Sequence, residues 1–181
     1  MSNLTSEQVA AAQEFANATM ANLQMGRGVH PPTVVAASAR MAGTYLFRSF
    51  PFPLTGVKPG QVVLSNEANQ QTPLLIQRVA GILSRSGIQL AEHPPAAASE
   101  AKNKPALDFL HTQKKLEPVF APIKAKFGLS GPEAAHAIAA AAALLIRHCG
   151  QVLDPNVGFA IAVYGIIEGA KTAPDPVEVD N

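Results

Sequence analysis

Apolar positions recur at helical spacing along most of this chain. Val9, Ala12, Phe15, Ala16, Thr19, Met20 and Leu23 form one stripe, and Glu7, Glu14, Asn17 and Gln24 lie off it. Thr5 followed by Gln8 has the form of a capping box, Leu4 and Val9 sit where a hydrophobic staple would, and Gly26 is a stop signal, so a first helix is predicted between them. Pro31 and Pro32 bias the chain into an extended entry. A second helix is predicted over 33–50, with Ser38, Ala39, Ala42 and Gly43 small enough to permit close approach. Residues 51–60 form a proline-rich connection. Residues 61–64 are β-branched enough for a short strand, but no second strand is evident to pair with it. Helix is therefore predicted from about Gln61 or Ser65 to Gly87, kinked or in two pieces at Pro73 with Thr72 as a cap.

Residues 92–104, two consecutive prolines and an Ala/Ser/Glu/Lys mixture, are predicted to be a flexible connection. Beyond it Phe109, Gln113, Leu116, Phe120, Ile123 and Phe127 recur at alternating spacings of four and three. Pro118 and Pro122 fall inside this seam, each costing about 3 kcal/mol in a helix interior. A fourth helix kinked or restarted around Glu117 is predicted. Ser130 and Glu133 make a second capping box, and from Ala134 to Ile146 the only polar side chain is His136. Asp154 with Pro155 opens a sixth helix, in which 157–167 contains no ionisable group except Tyr164. These two apolar runs, 13 and 11 residues long, fall short of the roughly 20 needed to span a bilayer. They predict a buried hairpin, with Gly158, Ala162, Gly165 and Gly169 allowing the sixth helix to pack tightly on the fifth. The expected fold is an all-α single-domain bundle of about six helices over 1–172, with a buried, Ala/Gly-rich C-terminal hairpin of helices 5 and 6. An acidic, proline-containing disordered tail is expected over 173–181.

Composition sharpens this picture at one place. The chain has 32 alanines, and eight of the ten residues from Ala134 to Ala143 are alanine. Small side chains concentrated there predict a fifth helix at the centre of the fold, approached closely by several neighbours. A net charge of +1 gives no global reason to expect nucleic acid or a membrane surface. Residues 102–126 are nevertheless net +4, which reads as a solvated lysine face that the acidic tail is placed to meet. Cys149 is the only cysteine, excluding an intrachain disulfide, and residues 1–15 lack the basic and apolar regions of a signal peptide. The expected compartment is the cytoplasm.

Candidate chemistry is sparse. Glu133 and His136 have the i, i+3 spacing of di-metal bundles, but no second Glu-x-x-His occurs and Glu133 is accounted for as a cap. Cys149 stands beside His148, yet neighbouring helical residues diverge by about 100° and a helix C-terminus raises a thiol pKa, so a structural thiol is expected. Ser130 is a cap. The amide-rich run Asn66, Glu67, Asn69, Gln70, Gln71 lies at the expected kink, and Arg40 and Arg48 on an otherwise apolar helix need partners if buried, with Glu67 and Glu168 as candidates. A polar pocket of Arg40, Tyr45, Arg48, Glu67 and Asn69 is the candidate ligand-binding site; the competing reading is a set of structural ion pairs and caps. There is no P-loop, dinucleotide glycine motif, zinc spacing, helix-repeat period or nucleophile elbow. No catalytic residue, metal or cofactor is assigned. The sequence thus leads to a non-catalytic helical protein acting through a homodimer or a protein partner. The alternative is a small-molecule-binding protein or metal-assisted enzyme using a polar pocket between helices.

Overall fold

Thr5 Oγ1 accepts the Gln8 backbone N–H at 3.2 Å, and the Gln8 side chain accepts that of Thr5 at 3.0 Å. This closed capping box starts α1 (Ser6–Asn22) in the computed structural model, which describes residues 4–26, 28–51 and 54–178. Then follow a two-stranded antiparallel hairpin, β1 (Gln24–Met25) and β2 (Gly28–Val29), and the helices α2 (Pro31–Arg48), α3 (Asn66–Arg85), α4 (Phe109–Lys126), α5 (Gly131–His148) and α6 (Pro155–Lys171). The described chain is all-α: six helices and almost no strand, 67% helical. Ser65, Asp108, Ser130 and Asp154 each accept backbone N–H groups at a helix start. Pro31 and Pro32 lie inside α2 rather than before it, because the first turn has no intrahelical N–H bond for them to break.

The two helices expected to break at proline are continuous. In α3 the buried positions Ala68, Thr72, Leu75, Val79 and Leu83 hold one stripe across Pro73. In α4 Phe109, Gln113, Leu116 and Phe120 do the same across Pro118. Pro73, Pro118 and Pro122 are all exposed, so each lost hydrogen bond falls on the solvent side, where water can serve the carbonyl. Burial of the other face outweighs the local cost. Gly128, at φ +61°, then reverses the chain, with its N–H on the Ala125 carbonyl and that of Leu129 on the Lys124 carbonyl.

Two helices share the centre. The alanine run of α5 is buried throughout, from Ala137 to Ala143, and α2 is buried from Pro32 to Arg48 except at Arg40. Ser38 Oγ donates to the Ile138 carbonyl where they meet. Helices α5 and α6 are consecutive and both largely buried, but the small residues of α6 divide their neighbours. Gly158 faces Ile146 of α5, whereas Gly165 and Gly169 face α2. A Cβ on Gly169 would stand 2.1 Å from the Arg40 carbonyl oxygen, and one on Gly43 2.4 Å from that of Ile166. The backbones of α2 and α6 are in direct contact there. Phe15 and Phe120, 4.8 Å between ring centroids, join α1 to α4.

Residues 61–64 do have a partner, and it is the chain just after α6. Val63 N–H donates to Lys171, Ala173 N–H to Gln61 and Gly60 N–H to Ala173, around an antiparallel bridge between Val62 and Thr172. Where composition predicts a disordered tail, Thr172, Ala173 and Pro174 are buried and residues 175–178 lie along α2 and α4; residues 179–181 are outside the described residues. The expected flexible connection contains two 3₁₀ turns, Ala96–Ser99 and Ala101–Asn103, with the Asn103 amide on the Ala97 carbonyl. Among the described residues no single helix is long and apolar enough to cross a membrane.

Candidate functional site

The five residues of the expected polar pocket are not gathered into one site. Arg40 Nε meets Glu168 Oε2 at 2.6 Å, and its Nη1 donates to the Leu107 carbonyl and to Thr112 Oγ1. Arg48 Nη2 lies 2.9 Å from Glu117 Oε1, and its Nη1 donates to the carbonyls of Pro176 and Glu178. Tyr45 is buried, with the Lys124 ammonium 5.8 Å above its ring. Glu67 is exposed, and exposed Asn69 accepts from Lys171 Nζ at 2.8 Å. Of the two expected carboxylate partners, Glu168 is in place on Arg40. A cavity of about 450 Å³ lined by Arg40, Lys104, Tyr164 and Glu168 includes none of the other four residues proposed for the pocket.

Other candidate chemistry is structural. Cys149 is buried at the end of α5, and burial pushes its thiol pKa up, away from the thiolate. Glu133 closes its capping box on Ser130, and those hydrogen bonds hold its carboxyl below the usual range. His136 is half-buried, its Nδ1 has no hydrogen-bond partner among the described residues, and burial and then Arg78 lower its pKa. Among the described residues no group of three or more His, Cys, Asp or Glu side chains is placed to hold a metal ion.

The surface feature that stands out is apolar. Val62 is 64% exposed, Leu64 77% and Tyr164 70%, and Leu110 and Ile167 are each about a third exposed. Val62, Leu110 and Ile167 line a groove of about 610 Å³ between the 60–63 ribbon, the first turn of α4 and the last turns of α6. Tyr164 lies one helical turn from Ile167 and Glu168. Large apolar side chains clustered in this way on a folded surface mark interaction sites more often than isolated ones do. The rim carries both signs of charge. Asp108 and Glu168 lie beside Lys171 and His111, and hydrogen bonds from the His111 backbone and side chain hold the Asp108 carboxyl low. Helical periodicity did not single these residues out, since an exposed Ile167 and a buried Ile166 look alike in a continuous apolar run. The β-branched residues at 61–64 were the only local signal.

No protein-family model, curated protein or solved structure matches this chain.

Proposed function

We propose that this chain is a helical association module that pairs with a second copy of itself through the face carrying Val62, Leu110, Tyr164 and Ile167. The grouping of exposed Val62, Leu110 and Ile167 around one groove, with exposed Tyr164 one helical turn before Ile167 on α6, carries this reading. A two-fold pairing brings the same patch together from both subunits, and a rim of mixed charge allows Lys171 of one copy to meet Asp108 or Glu168 of the other. Light scattering over a concentration series tests it. The expected result is a dimer for the natural chain and a monomer for Tyr164→Glu or Val62→Lys, both at exposed positions that the core does not use. A natural chain that stays monomeric at every concentration, or variants that dimerise unchanged, would overturn it.

A second reading rests on the 450 Å³ cavity beside the Arg40–Glu168 pair, whose polar groups of both signs suit a small zwitterionic ligand. Native mass spectrometry of the purified protein, before and after denaturation and refolding, looks for a bound small molecule that is lost on denaturation.

A further inference from the structure

Arg40 and Arg48 of α2 each meet a glutamate. Arg78 of α3, only 7% exposed, instead lines a cleft of about 320 Å³ together with a second arginine, Arg85, about two turns further along the same helix. The cleft lies between the start of α1, the second half of α3 and the middle of α5, and its apolar walls are Leu4, Val9, Ile82 and Leu144. At Ala12 and Ala140 the side chains are too small to fill it. None of the described residues lining it is acidic. Burial first and Arg85 second hold the Arg78 guanidinium below its ordinary pKa. Arg78 in turn adds to burial in lowering the pKa of His136, one turn before Ala140 on α5. Positive charge is thus concentrated in a partly dehydrated place, where an anion relieves the mutual repulsion.

We infer that this cleft binds a small organic carboxylate with an apolar body, its charge between Arg78 and Arg85 and its chain against Leu4, Val9, Ile82 and Leu144. A guanidinium offers five N–H donors in a fixed fork, so Arg78 takes a carboxylate in addition to acceptors from the protein itself. An inorganic anion would leave the apolar walls wet, and a plain hydrocarbon would bury them without answering the charge. The volume is at the lower end of the roughly 300 to 1,000 Å³ typical of small-molecule pockets, which favours one short chain over a membrane lipid. The cleft shares no lining residue with the groove at Val62 and Ile167, so the inference is independent of the pairing proposed above.

Octanoate is the probe, titrated into the full chain by isothermal titration calorimetry beside hexanoate, acetate and octanol. Octanoate is expected to bind, and hexanoate about tenfold more weakly, since each methylene kept out of water contributes about fourfold. Acetate lacks the chain and octanol the charge, so each should bind at least about tenfold more weakly than octanoate. Arg85 is exposed in the last turn of α3, so Arg85→Gln leaves the fold intact and should weaken octanoate about tenfold. Val9→Glu, also at an exposed position, tethers a competing carboxylate at the cleft and should weaken it as much. Lys114→Gln removes the same charge from the exposed face of α4 and should change nothing. The inference is overturned by any of three results: no octanoate binding at millimolar concentration, octanol or acetate binding as well as octanoate, or Arg85→Gln having no more effect than Lys114→Gln.

Discussion

Gly43 and Gly169 stand where two helix backbones touch, and at both the neighbouring atoms belong to the main chain, which cannot move aside as a side-chain tip can. Gly169→Ala is therefore expected to cost about 3 kcal/mol or more, and Ala139→Leu in the packed centre of α5 about 1 to 3 kcal/mol. Gly158→Ala, which meets only the side chains of Ile146 and Leu153 at 3.1 to 3.4 Å, should change stability by less than about 1 kcal/mol, because a shift of a few tenths of an ångström relieves the crowding and the gain in helix propensity offsets it. Urea unfolding of the three variants checks the order. His136 gives a pH prediction. Its folded-state pKa lies below the ordinary 6.5, through burial first and Arg78 second, so the unfolded chain binds its proton more readily. The stability tied to the neutral ring is complete above pH 6.5 and is lost as the pH falls through the lowered folded-state value. His136→Leu should flatten the decline in stability on acidification below pH 6.5, and equal slopes for both proteins would refute the assignment. At this scale the sequence was most legible where the chemistry is local, as at the Thr5 and Ser130 capping boxes. It was least legible at Gln113 and Glu117, which sit on the α4 seam and beside it, and whose partners, Arg48 and Asp175, come from elsewhere in the chain.

Among the elements, α3 and α4 show packing overriding a local penalty. Periodicity kept its phase across the prolines, and each helix runs through them as one element because the apolar faces stay buried while the prolines face water. The cost of the missing hydrogen bond persists. Pro118→Ala should stabilise the fold by roughly 2 kcal/mol: about 3 kcal/mol recovered in the helix, less up to about 1 kcal/mol for the freer unfolded chain. A higher thermal midpoint for the variant checks it. The 60–63 ribbon illustrates the opposite limit of sequence reading. Its residues had strand character, but the partner, 171–173, is a helix end followed by two residues without strand pattern, so only the tertiary fold reveals the pair. The small residues of α6 were likewise recognisable as a contact surface, but spacing along one helix does not say which neighbour it touches.

For the whole molecule, six helices with α5 at the centre follow from the pattern of the chain, whereas the equal share of α2 in that centre does not, and the two arginines of the expected pocket anchor different elements. If two copies pair, folding and association are linked, and the thermal midpoint should rise with protein concentration for the natural chain but not for Tyr164→Glu. Differential scanning calorimetry at several concentrations distinguishes the two. The contact of α2 with α6 also bears on how the molecule is made. Arg40 and Glu168 are 128 residues apart in sequence, and at about 5 to 20 residues per second synthesis of that interval takes roughly 6 to 25 seconds. During that time the small-residue face of α2 emerges from the ribosome with nothing to cover it, so α2 has to be sheltered or remain unformed, and the bundle closes only after α6 has been synthesised.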